Sequence, residues 1–94
     1  MSFHEKAALN RLLDIARSDT GQSRRVADFL LAWWNAESCG GFDLTDLWGV
    51  DQDIREDMIT VFAYVARVSQ YPDAIGYKKS FQSIVRDWRP ELKD

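Results

Sequence analysis

One histidine, His4, and one cysteine, Cys39, are all the imidazole and thiol chemistry in this chain. Activating a hydroxyl or thiol nucleophile takes a neighbouring base and a third group that orients it. A closed Cys/His zinc site takes about four ligands. His4 falls in the first turn of an expected helix. Cys39 stands at a helix end beside Gly40 and Gly41, where it reads as a small, partly buried hydrophobe. No catalytic, metal or cofactor site is expected, and the chain reads as a non-enzyme.

Carboxylates are more concentrated. Residues 37–57 hold Glu37, Asp43, Asp46, Asp51, Asp53, Glu56 and Asp57 against Arg55 alone, a local net charge of −6. Asp51-Gln52-Asp53-Ile54-Arg55-Glu56 lacks the glycine of a calcium loop and puts a cation at its fifth position, so calcium is not expected. Some of these acids belong at helix starts, where they meet the positive end of the dipole. Seven exceed what capping needs. Asp43, Asp46, Glu56 and Asp57 are therefore the candidate acidic surface, suited to a protein partner with a basic face.

The opposite charge gathers late in the chain. Lys79, Gln82, Arg86 and Arg89 recur at helical spacing beside Phe81, Val85 and Trp88, with Lys78 alongside. Lys79, Arg86 and Arg89 form an alternative anion-binding stripe, which would make the chain a small nucleic-acid-binding regulator. Cations near a helix C-terminus also simply complement its dipole. Leu44, Trp48, Gly49, Val50 and Met58 fall near the positions of a helix-turn-helix, but Arg55 takes an apolar position in it. Its recognition helix would turn Asp51, Asp53, Glu56 and Asp57 towards phosphates. Thr20-Gly21-Gln22-Ser23 ahead of Arg24-Arg25 offers backbone N–H groups to an anion, without the spacing of a nucleotide loop.

The elements that must position these residues are helices. Ser2 and Glu5 have capping-box spacing, and Leu9, Leu12, Leu13 and Ala16 form the stripe that follows. A second helix is expected over 22–38, after a Thr20 or Gly21 cap, and it ends at Cys39-Gly40-Gly41. Its apolar residues cover roughly 200° of the circumference, more than an ordinary surface helix presents. Residues 42–50 read as a short helix or connector laying Phe42, Leu44, Leu47 and Trp48 over the core, with Trp48 a buried structural residue. Asp51 or Asp53 is expected to cap a third helix reaching about Gln70, again with an over-wide apolar arc. Tyr71-Pro72-Asp73 stops it, and a last helix runs over 77–88.

Length and composition agree with an all-α fold, a compact bundle of four to five helices with two central ones. The 94 residues make one domain, 1–94, with 46% hydrophobic and 29% charged residues and a net charge of −3. No apolar run approaches the roughly 20 residues of a membrane span, and no secretory or lipidation signal is visible, so a soluble, cytoplasmic chain is expected. The second helix carries more apolar surface than four or five short helices cover easily, which predicts a homodimer.

Three blocks carry a resemblance: Thr20-Gly21-Gln22-Ser23-Arg24-Arg25-Val26-Ala27, Trp33-Trp34-Asn35-Ala36 and Gly41-Phe42-Asp43-Leu44-Thr45-Asp46-Leu47-Trp48. With Tyr71-Pro72-Asp73, Gly76-Tyr77 and Val85-Arg86-Asp87-Trp88-Arg89-Pro90, they make the chain resemble a family of short uncharacterised helical proteins found on plasmids and integrated elements of proteobacteria. The resemblance brings no catalytic residue. What it implies is a setting, in which small acidic helical proteins block host defences or modulate plasmid maintenance. The function expected is a protein-interaction module using its acidic surface, as an anti-CRISPR-like inhibitor of a host nucleic-acid-directed defence complex.

Overall fold

The computed structural model describes residues 1–92 and contains four α-helices: α1 (Phe3–Ala16), α2 (Gly21–Cys39), α3 (Gln52–Arg67) and α4 (Lys78–Trp88). Two 3-10 turns, Leu44–Gly49 and Pro72–Ile75, join α2 to α3 and α3 to α4. No strand occurs among the described residues, and the fold is an all-α bundle.

Local chemistry accounts for most of the helix ends. Ser2 caps α1: the Glu5 N–H donates to Ser2 Oγ at 3.2 Å, and the Ser2 N–H donates to Glu5 Oε1 at 2.9 Å. Thr20 caps α2 by accepting the Ser23 N–H at 3.0 Å. Gly40 ends that helix at φ 95°, a left-handed region that a Cβ disfavours. Asp53 Oδ1 accepts the Ile54 N–H at 3.0 Å in the first turn of α3, whereas Asp51, at the N-cap position, makes no side-chain capping bond. Its N–H instead donates to Gln22 Oε1 at 2.6 Å, which ties the start of α3 to the start of α2.

The elements differ from the expected ones in three places. Helix α2 is interrupted at Asn35 (φ −168°, ψ 87°), whose Oδ1 accepts the Ser38 N–H at 3.1 Å. That is N-cap chemistry inside a helix: Asn35 closes one helical run and starts the last turn. Helix α3 stops at Arg67 rather than near Gln70, and Val68 is already extended. Trp48 is exposed rather than buried, because the 3-10 turn directs Leu47, not its neighbour, inward.

One core joins all four helices. Leu9 and Leu12 of α1, Leu30 and Leu31 of α2, Met58 and Val61 of α3, and Phe81 and Ile84 of α4 are fully or almost fully buried. Helix α1 packs against both α2 and α3, and α4 packs against α2. Helices α2 and α3 meet far less, and the gap between them is partly filled by the Leu44–Gly49 turn.

Tryptophans close the seams. Trp88 Nε1 donates to the Ala16 carbonyl at 2.7 Å, joining α4 to the end of α1. Trp34 stacks on Phe81 at 5.6 Å, and Trp33 meets the same ring edge-on at 5.7 Å. The Arg89 guanidinium bonds Asp28 at 2.7 Å and the Cys39 carbonyl at 2.9 Å, holding the chain's exit against α2.

Candidate functional site

The gap between α2 and α3 is an apolar groove of about 500 Å³. Phe29 and Trp33 of α2 form one wall, and Ile59, Phe62 and Val65 of α3 form the other. Phe42, Leu44 and Leu47 line its end.

Each wall is held by a specific contact. Phe42 packs edge-on against Phe29 with centroids 5.3 Å apart. Trp33 Nε1 donates to the Gln70 carbonyl at 3.1 Å, which spends its one polar group and leaves an apolar ring for the wall. Arg55 straps the turn from α3, donating from Nε to the Leu47 carbonyl at 2.9 Å and from Nη2 to the Val50 carbonyl at 3.3 Å. On the other side the Arg25 Nε lies 3.6 Å from Asp46 Oδ1. Gly49 leaves room for that guanidinium, since a Cβ there would stand 2.6 Å from Arg25 Nε.

Large apolar side chains remain open around this groove. Leu44 is 67% exposed, Ile59 54% and Phe62 59%, and Trp48, next to Leu47 on the same turn, is 80% exposed. Scattered apolar residues are ordinary on protein surfaces; four large ones on two adjoining elements beside an apolar hollow mark an interaction site. The signal for this site is in the sequence, but periodicity alone does not separate it from the core. The over-wide arc of α3 contains two faces, one for the core and one with Ile59 and Phe62 turned outward.

The candidate acids do not form one patch. Asp43 accepts from both the N–H and the hydroxyl of Thr45, at 2.9 and 2.8 Å, and these bonds hold its carboxyl below the usual range. Asp46 faces Arg25. Asp57 takes two bonds from Arg11, at 2.8 and 2.9 Å, and Glu56 accepts from Gln52 at 3.2 Å. Glu56 and Asp57 line a hollow between α1 and α3, away from the turn that carries Asp46. Two of the seven carboxylates, Asp46 and Asp57, are thus answered by cations from elsewhere in the chain.

The basic stripe is divided as well. Lys79 and Arg86 are exposed, whereas Arg89 is taken up by Asp28 and two carbonyls. His4 lines the α1–α3 hollow and Cys39 lines a different one, between α2 and the end of α4. Burial pushes the Cys39 thiol up, away from the thiolate that a nucleophile needs. Among the described residues no cluster of three His, Cys, Asp or Glu could hold a metal ion, and no helix is long and apolar enough to cross a membrane.

A family model described as a family of unknown function, DUF7673, matches residues 6–89. That span takes in all four helices except the first residues of α1. The chain belongs to DUF7673. Both groove walls, the turn between them and the Trp-containing blocks lie inside the matched region. No curated protein and no solved structure matches the chain.

Proposed function

We propose that this DUF7673 protein is a non-enzymatic protein-interaction module, and that the groove between α2 and α3 is its docking site. The observation that carries the reading is the apolar groove ringed by exposed Leu44, Ile59 and Phe62. The occupant it fits is the apolar ridge of an amphipathic helix, which anchors through side chains at i, i+3 or i+4 and i+7. Asp43, between two groove-lining residues, and the protein's net charge of −3 favour a partner helix with basic flanks. Inhibition of a nucleic-acid-directed defence complex, encoded on a mobile element, is the narrower form of the same reading, with a basic nucleic-acid-binding subunit as the partner.

A photo-crosslinking benzoylphenylalanine in place of Leu44 tests this directly. Illumination in the native lysate should join the protein to a partner through a basic amphipathic helix, and Phe62→Glu should abolish the product. A product that survives Phe62→Glu, or no heterologous product at all, overturns the reading.

A further inference from the structure

We infer that the protein also pairs with a second copy of itself through the outer face of α3, the two helices running antiparallel. This goes beyond the groove reading: the contact shares Ile59 and Phe62 with the groove wall but extends to Ala63 and Ala66, which do not line the groove.

Ile59, Phe62, Ala63 and Ala66 are all exposed and follow one another at i, i+3, i+4 and i+7. At 100° per residue they form one stripe about 100° wide on the side of α3 turned away from Met58 and Val61. Among the described residues no element covers it. The exposure does not come from an open fold: the accessible surface of 5683 Å² matches the roughly 5,600 Å² expected of a compact 10.9 kDa monomer.

The stripe is complementary to itself in one orientation. A two-fold axis between Phe62 and Ala63 sets Ile59 level with the partner's Ala66, a large side chain against a small one. Glu56 and Arg67 lie on one flank of the stripe, near its opposite ends. The same axis brings Glu56 within about 3 Å, along the helix, of the level of the partner's Arg67, at a rise of about 1.5 Å per residue. Arg67 spends one donor on Glu5 at 2.6 Å and remains 60% exposed, so it has donors left for a second carboxylate. Parallel pairing loses both advantages, because it leaves Glu56 and the partner's Arg67 at different levels on opposite flanks and sets large residues against large ones.

The area available sets the strength. A stable interface covers about 800 Å² of each partner, roughly a seventh of this surface. One helix face of 16 residues, about 24 Å long, is at the small end, so the dimer is reversible and concentration-dependent.

Sedimentation of the full chain tests the inference, with Ala66→Glu as the breaking variant, since that side chain is exposed and its loss leaves the core intact. The wild type should approach twice 10.9 kDa by about 100 µM, and Ala66→Glu should weaken association more than about tenfold. Orientation is read from disulfides in a Cys39→Ser background. Antiparallel pairing lets Ala63→Cys cross-link to its copy while Gln52→Cys, at the other end of the same helix face and about 32 Å from its copy along the axis, does not; parallel pairing links both. A wild type that stays at 10.9 kDa, a dimer indifferent to Ala66→Glu, or a Gln52→Cys cross-link overturns the inference. A monomer that still gives the heterologous Leu44 cross-link rejects the self-pairing alone, and a dimer whose monomeric Ala66→Glu variant gives no such product rejects the groove reading alone.

Discussion

At the scale of single residues, Glu5 shows how one side chain serves a cap and a long-range tie together. One carboxylate oxygen closes the capping box with Ser2, and the other accepts the Arg67 guanidinium from the far end of α3. The Arg67 bond, followed by the bonds to Ser2, lowers its pKa from 4.5 to about 2. A carboxyl whose folded pKa lies below its unfolded one adds stability that is fully present above the unfolded value. Glu5 therefore stabilises the fold above about pH 4.5, and the contribution disappears as pH falls through about 2. Urea midpoints measured from pH 6 to pH 2 should fall less steeply for Glu5→Gln than for the wild type. Equal slopes would show that Arg67 does not hold Glu5 in the folded state. The capping half of this arrangement was legible as Ser2 and Glu5 three apart. The Arg67 half was not, because a contact across 62 positions is set by how α1 and α3 pack.

The helices show the same division between local and tertiary causes. Caps, glycine stops and the Pro72 break are local, so α1, α4 and the start of α2 stand close to where periodicity places them. The interruption at Asn35 was hidden, because an asparagine inside a helical pattern caps only if the backbone there is already extended. Trp48 was misplaced for a related reason. The connector's alternation of apolar and acidic residues suggested that every large apolar side chain packs inward, but Arg55 and Arg25 fix a turn that brings in Leu47 and leaves Trp48 outside. The acids of residues 37–57 looked like one patch because sequence proximity conceals cations arriving from α1 and α2. At the end of α2, Gly40 has a positive φ with nothing within 4 Å of the missing Cβ. Gly40→Ala should therefore cost about 1–2 kcal/mol through backbone strain alone. Thermal unfolding measures it, and an unchanged midpoint would mean that the α2 stop relaxes into another conformation.

Over the whole molecule, the division of α3 into a core face and an outer face separates what stabilises the protein from what it offers to others. Leu12 and Val61 lie in the single core that α1 shares with α2 and α3, whereas Phe62 and Trp48 lie outside it. Because that core links all four helices, and Trp88 further ties the end of α4 to the end of α1, loss of any one contact is felt throughout. Unfolding should be a single cooperative transition, with tryptophan fluorescence and helical circular dichroism superimposing. Leu12→Ala should lower stability by about 2–5 kcal/mol, the usual cost of a cavity in a closed core. Phe62→Ser and Trp48→Ala should each stay within about 0.5 kcal/mol, as surface changes do. Measured at protein concentrations low enough to keep the chain monomeric, these values separate fold from function. A large loss on Phe62→Ser would make the outer face of α3 part of the monomer's own packing. It would also leave the turn carrying Leu44 and Trp48 as the part of the groove's rim that stability does not require.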